Sequence, residues 1–372
     1  MKKVNIGIIG CGFISSMYIK TCKQLPIIEI IACADLDVEK AKDKALEFGI
    51  PKGCSVEELL SNPNIDLVLN LTIPVAHSDI SVSALASGKH VFSEKPLAVS
   101  LEDGHRIMRL ANEKGLLVGS APDTFLGGGI QTCRKLIDEG WIGQPIAATA
   151  FMMNHGPEHW HPNPEFYYQT GGGPMFDMGP YYLTALINLI GPVHKVTGST
   201  RITYPERTIT SKQSFGTSIK VDVPTHVAGV LEFENGAVGT MITSFDVWGH
   251  HLPYIEIYGT AGSLKVPDPD TFGGPVYLQK QGEKSWTEVP LSHGFIENSR
   301  GIGLADMANS LLTKRPHRAN GDMAFHVLEI MHGFHLSSSN QVHYQMKSTC
   351  AKPEPLAGDM SFESFNGETV YY

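Results

Sequence analysis

The run Ser93-Glu94-Lys95-Pro96 places an amine directly after a short apolar segment. A lysine can accept a proton when neutral and return it when charged, so it is a candidate acid/base. Proline at the next position disfavours helical backbone at Lys95 and holds its side chain in one direction. Further along, Gly171-Gly172-Gly173 leads to Asp177 and Tyr181, a carboxylate and a phenol that also handle protons. Two geometries are open for this pair. If Pro180 occupies a first helical turn capped by Gly179, Tyr181 sits at a helix N-terminus, where the dipole favours a phenolate. If the helix begins earlier, Asp177 and Tyr181 share one face, with a kink at the proline.

Between these stretches, Asn154-His155-Gly156-Pro157-Glu158-His159-Trp160-His161-Pro162-Asn163 concentrates imidazoles. His155, Glu158, His159 and His161 are residue types that bind zinc. Two prolines and the lack of a regular frame argue against a metal, and none is expected. A polar loop facing a ligand, with Trp160 as a stacking platform, is the functional reading, and a plain structural loop is its rival.

The elements that would carry Lys95 begin at the N-terminus. Val4 to Ile9 is a β-branched run of the kind buried on both faces of a parallel sheet. It feeds into Gly10-Cys11-Gly12-Phe13-Ile14-Ser15, a dinucleotide-type glycine turn with serine in the third, small place. Such a turn alone is a weak signal. A second strand ending at Asp35 strengthens it, since a carboxylate there accepts from the ribose hydroxyls and repels a 2′-phosphate, favouring NAD over NADP. The strand Leu67 to Leu71 leads to Thr72-Ile73-Pro74 at the edge where ligands sit, and His77 follows at a helix start. Capping or packing is the default role of that histidine, with coenzyme contact as the alternative. Lys89 to Phe92 then delivers Glu94 and Lys95 to the same edge, and Leu116 to Gly119 closes the sheet.

After Ala121-Pro122 the chain crosses over. Ile130 to Glu139 has helical spacing, and the pattern then becomes alternating segments at 193–203, 223–233, 237–244, 254–258 and 263–266. The expected fold is therefore α/β: a Rossmann domain over 1–122, then an α+β domain over 123–372 with a large, mostly antiparallel sheet. Helical segments at 304–312 and 325–336 are expected to pack back on the first domain, and the residues from Tyr344 on to form a tail. An apolar sheet face left uncovered by helices predicts a homo-oligomer, a dimer or larger, through the second domain.

Composition narrows the partners. A formal net charge of −9, without clustered Lys and Arg, excludes a nucleic-acid surface. No apolar run approaches the ~20 residues of a membrane span. Met1-Lys2-Lys3 before an apolar run imitates a secretory signal but lacks a small-residue cleavage site. The six cysteines are scattered without a Cys-x-x-Cys pair, as in a reducing cytoplasm. A cytoplasmic protein with a small neutral ligand is expected.

With these residues in place the chain resembles the Gfo/Idh/MocA oxidoreductases, named for glucose-fructose oxidoreductase and inositol dehydrogenase. The markers are the glycine turn at 10–15, Gly88-Lys89-His90-Val91 leading into Glu94-Lys95-Pro96, and the glycine run leading to Asp177. Ile255-Glu256-Ile257-Tyr258-Gly259-Thr260-Ala261-Gly262 and Arg315-Pro316-His317 agree as well. The resemblance implies NAD-dependent oxidation of a secondary hydroxyl of a sugar, polyol or glycoside, with C3 of a glucoside as the specific expectation. It puts Lys95 at the reacting hydroxyl, neutral beside oxidised nicotinamide, and needs no metal. It makes Asp177, Tyr181 and the loop residues His155, His159, Trp160 and His161 substrate contacts. Tyr181 stands where that family usually has histidine, as in its glucose-fructose oxidoreductase and dihydrodiol dehydrogenase branches. Two other functions are compatible: a redox-cycling glycosidase acting through a 3-keto glycoside with retained NAD, and a non-catalytic dinucleotide sensor, against which Lys95, Asp177 and Tyr181 count.

Overall fold

The structure, a computed structural model, describes residues 3–367. Met1 and Lys2 of the signal-like start, and 368–372 of the expected tail, lie outside the described residues. The chain divides into two compact units: Met1–Gly128 with Ser292–Phe325 and Pro353–Tyr372, and Gly129–Leu291 with His326–Lys352.

In the first unit, strands β1 (Val4–Ile9), β2 (Ile28–Ala34), β3 (Gly53–Cys54), β4 (Leu67–Asn70), β5 (His90–Ser93) and β6 (Val118–Ser120) pair in the order β3-β2-β1-β4-β5-β6. Every pairing is parallel. Helices α1 (Ser15–Cys22), α2 (Val38–Phe48), α3 (Val56–Ser61), α4 (His77–Ala86) and α5 (Leu101–Lys114) lie between successive strands. Their ends are written locally: Asp37 caps α2 by accepting from Glu39 N and Lys40 N, and Gly49 stops it at φ 60°. Strand order reverses between β1 and β4, which opens a crevice at the C-terminal edge. This is the expected Rossmann architecture.

The second unit opens with helix α6 (Gly128–Asp138) and strand β7 (Pro145–Met153), followed by helix α7 (Gly173–Leu189). Next come β8 (Val193–Arg201), the short hairpin β9 (Glu206–Thr208) and β10 (Ser218–Lys220), β11 (His226–Phe233) and β12 (Val238–Ser244). Strands β13 (Ile255–Gly259), β14 (Gly262–Val266), β15 (Val276–Lys280) and β16 (Thr287–Val289) complete this stretch. The chain then returns to the first unit with α8 (Ile302–Thr313) and enters α9 (Gly321–Asn340), which from His326 on belongs to the second unit and not, as expected, to the first, and β17 (Tyr344–Gln345) follows there. Among the described residues the large sheet runs β16-β15-β14-β13-β7-β12-β11-β8-β17, antiparallel except where β7 meets β12.

Helix α7 lies against β7, β11 and β12. The α9 backbone comes so close to β8 that a Cβ on Gly198 would stand 2.4 Å from Phe334 O. Val227, Leu231 and Phe233 of β11 are buried beneath these helices, whereas the alternate residues Ala228, Val230 and Glu232 are only half-buried. Two further expectations change. The stretch from Tyr344 on is no loose tail: β17 pairs with β8, and Phe365 is fully buried. The β9–β10 hairpin has strands too short to show periodicity in the sequence.

Candidate functional site

In the first unit, parallel pairing brings four strand ends to one edge. After β1 the chain turns at Gly10, with φ 102°, where a Cβ would stand 2.5 Å from Leu71 O. Only glycine fits that approach. Gly12 has no heavy atom within 4 Å of its Cβ position, which leaves its backbone open to a ligand. Ser15 is buried, and its hydroxyl donates to Gly12 O at 2.6 Å. Phe13 is 92% exposed, and Ile14 precedes α1.

Asp35, beyond β2, accepts from Cys11 N at 2.8 Å and Asp37 N at 3.2 Å, with Lys40 Nζ 3.5 Å away. Burial works to raise its pKa, but these partners outweigh it and hold the carboxyl below the usual range. The carboxylate therefore pins the glycine turn from the neighbouring strand. Beyond β4, Asn70 Oδ1 accepts from Thr72 Oγ1 at 2.7 Å, and Ile73 and Pro74 lead into a 3-10 turn with Ile73 exposed.

Lys95 is half-buried, in a turn closed by a cis Lys95–Pro96 peptide bond. Glu94 and His77, both candidates for coenzyme contact, brace this turn. Glu94 Oε1 accepts from Tyr18 OH at 2.7 Å and Oε2 from Lys95 N at 2.8 Å, joining α1 to the lysine. His77 is fully buried, with Nδ1 2.7 Å from Pro96 O and Nε2 3.0 Å from Thr72 O. Burial pushes its pKa down while the two carbonyls oppose the shift. With both ring nitrogens engaged it fills the packing role.

In the second unit α7 begins at Gly173, with Pro174 in its first turn and Pro180 inside it. A Cβ on Gly172 would stand 2.5 Å from Phe166 O, so the glycine run fits a close backbone crossing. Asp177 and Tyr181 thus share one helix face, the former half-buried and the latter buried. The placement of Tyr181 at a helix N-terminus is corrected. It lies about two turns in, where the terminal dipole no longer acts.

The histidine loop divides. Trp160 and His161 join Phe166 and Tyr167 in an edge-to-face cluster, with Trp160 and His161 centroids 5.3 Å apart. His155, Glu158 and His159 instead line a cavity of about 740 Å³, together with Tyr204, Arg207 and Trp248. Beside it Arg207, 5% exposed, donates to Glu158 Oε1 at 2.7 Å, to Phe245 O at 2.6 Å and to Asp246 Oδ1. Tyr168 OH donates to the other Glu158 oxygen, and burial followed by that bond drives its pKa far up. Arg207 and Asp246 went unnoticed in the sequence. The signal available was Asp246-Val247-Trp248 directly after a strand, but only the parallel β7–β12 pairing puts that turn beside the histidine loop. Among the described residues no three His, Cys, Asp or Glu side chains group as a metal site would need.

Comparison with known proteins decides the family. Residues 4–121 match the model described as an oxidoreductase family with an NAD-binding Rossmann fold, and 130–265 match the GFO/IDH/MocA C-terminal domain, together more than half of the chain. The chain belongs to the Gfo/Idh/MocA oxidoreductase family. Among its relatives, 1,5-anhydro-D-fructose reductase of Ensifer adhaerens is 28% identical over 69% of this chain and 74% of its own. Trans-1,2-dihydrobenzene-1,2-diol dehydrogenase of Mus musculus is 28% identical over 83% of this chain and 88% of its own. The fold agrees with levoglucosan dehydrogenase solved with NADH, at TM-score 0.81 and 19% identity over 93% of this chain and 100% of that one. Within this Gfo/Idh/MocA protein the glycine turn fits a dinucleotide on its own geometry: Gly10 is sterically obligatory and Gly12 is left open.

Proposed function

We propose that the protein is an NAD-dependent dehydrogenase that oxidises a secondary hydroxyl of a sugar, polyol or glycoside, with Lys95 as acid/base. The observation carrying this reading is the placement of Lys95 at the same sheet edge as Gly10, Gly12 and Asp35, in a turn braced by Glu94 and His77. Relatives named for an anhydrofructose and for levoglucosan support a carbohydrate substrate. Gly10, Gly12, Phe13, Ile14 and the Thr72-Ile73-Pro74 turn would hold the dinucleotide, and Asp35 the adenosine ribose, favouring NAD over NADP. When bound, the coenzyme supplies the hydride acceptor. Lys95 Nζ takes the hydroxyl proton, Asp177 accepts a hydrogen bond from a substrate hydroxyl, and Tyr181 offers a phenolic O–H. C3 of a glucoside is the hydroxyl proposed.

The half-buried outer residues Ala228, Val230 and Ile242, with Val238 47% exposed, support a homo-oligomer through the large sheet. Among the described residues no helix is long and apolar enough to cross a membrane, and a cytoplasmic location is part of the proposal.

The test is NADH absorbance across sugars, polyols and glycosides, with Lys95→Met alongside. The variant should lose roughly 10²–10⁴-fold in kcat while binding NADH as before. Full turnover by it would refute the role of Lys95, and silence of the wild type across the panel would refute the dehydrogenase reading.

A further inference from the structure

The carboxylate that follows β2 is one half of an ion pair, and both halves lie in the first unit. Asp35, its side chain 15% exposed, receives Cys11 N on Oδ2 at 2.8 Å and Asp37 N on Oδ1 at 3.2 Å. An ionised carboxylate offers about four acceptor positions, so the two amides leave others open. Lys40 Nζ stands 3.5 Å from Oδ2. Asp37, the other acid here, is already engaged, since its Oδ1 accepts from Glu39 N and Lys40 N and caps α2. Asp35 and Lys40 are therefore the charged pair that a ribose at this edge would meet.

Two lysines of α2 reach toward this region, Lys40 and Lys44, one helical turn apart on the same face. They differ in freedom. Lys44 is 14% exposed and tied down, its Nζ 2.9 Å from Ser16 Oγ and 3.0 Å from Glu47. Lys40 is 49% exposed, and 3.5 Å is long for a charge-assisted hydrogen bond. A pair this open to water is weak, so its ammonium changes partner at little cost.

At this place an acid hydrogen-bonds the ribose 2′-hydroxyl of NAD, and a cation accommodates the 2′-phosphate of NADP. Here the two stand together in one weak pair. A phosphate monoester carries roughly 1.5–2 negative charges at pH 7, against the single charge of Asp35, and an ammonium on a flexible stem follows the larger charge. We propose that Lys40 sets coenzyme choice: it rests on Asp35 when the ribose bears a free 2′-hydroxyl and turns to the phosphate when it bears one, so that the chain binds NADP as well as NAD. NAD remains the tighter ligand, because Asp35 still repels the phosphate. The proposal starts from Asp35 as the ribose acceptor and needs no assumption about the substrate.

The experiment is fluorescence titration of NADH and NADPH on the full chain, in wild type, Lys40→Met, Lys40→Arg and Asp35→Asn, at low and high salt. Wild type should bind NADPH within about tenfold of NADH. Lys40→Met should cost NADPH about tenfold more than it costs NADH, and Lys40→Arg should keep the wild-type ratio. Salt should weaken NADPH more than NADH in the wild type, and Lys40→Met should remove that excess. A wild type that binds NADH alone, or a Lys40→Met variant that weakens both coenzymes equally or neither, overturns the proposal. Asp35→Asn separates the proposal from its starting point. If it leaves NADH affinity unchanged while Lys40→Met still weakens NADPH selectively, Asp35 loses the ribose and Lys40 keeps its role. If it weakens NADH while Lys40→Met spares NADPH, Asp35 keeps the ribose and Lys40 loses its role.

Discussion

Arg207→Met is the most informative perturbation of the second unit. The side chains of Arg207, Glu158 and Asp246 are 5%, 8% and 8% exposed, so the guanidinium neutralises two carboxylates out of reach of bulk water. Its loss removes donations to both carboxylates and to the carbonyls of His155 and Phe245. Removing one partner from a buried pair costs about 3–5 kcal/mol. Glu158 keeps the Tyr168 hydroxyl and Asp246 keeps the Thr225 hydroxyl at 2.7 Å, which puts the expected loss at the lower end, about 3 kcal/mol. The assay is urea unfolding followed by circular dichroism at constant slope. Arg207→Lys should recover little, since one ammonium cannot fork to both carboxylates. The triple variant Glu158→Gln, Arg207→Met, Asp246→Asn should return to within about 1 kcal/mol of wild type, because no charge is stranded. A single-variant loss below about 1 kcal/mol, or a triple variant no better than the single, would refute the account.

Three further outcomes are expected. Gly10→Ala should abolish NADH binding and lower stability by about 1–3 kcal/mol, as its methyl is driven toward Leu71 O; fluorescence titration of NADH and a melting curve check both. Asp35→Ser should raise the NADP-to-NAD ratio of kcat/KM by relieving repulsion of a 2′-phosphate, and an unchanged ratio would remove Asp35 from the coenzyme site. Burial, with the nearby His332, lowers the His335 pKa to about 4, below its unfolded value near 6.5. The unfolded chain therefore takes the proton first, and the stability present above pH 6.5 is lost as pH falls toward 4. The loss reaches about 1.4 kcal/mol at pH 5.5, and His335→Leu should remove that share of the slope in urea titrations at pH 7.5 and 5.5.

The first unit was legible because its signals are local. A β-branched run, a glycine turn and an acid after the next strand each lie within a few residues, and parallel pairing alone carries Gly10, Asp35, Thr72 and Lys95 to one edge. What the sequence did not show was direction: Glu94 and His77 sit beside the expected coenzyme residues, and their polar atoms turn to Tyr18, Lys95, Thr72 and Pro96. In the second unit Pro180 read as a helix start because proline breaks helices. Packing overrides that preference in α7, where nearly every residue is buried. The Arg207 cluster was illegible for another reason: its members come from one short strand and two loops far apart in sequence, and no periodicity marks a non-local ion pair.

The Glu94 carboxylate has a mechanical consequence. One of its oxygens receives the phenol of the helix that follows the glycine turn, and the other receives the backbone amide of Lys95. A dinucleotide that seats poorly and tilts that helix would drag the amine out of line through two hydrogen bonds. If Lys95 acts as proposed, loading and alignment are geared together, and an ill-fitting coenzyme is penalised in rate as well as in occupancy.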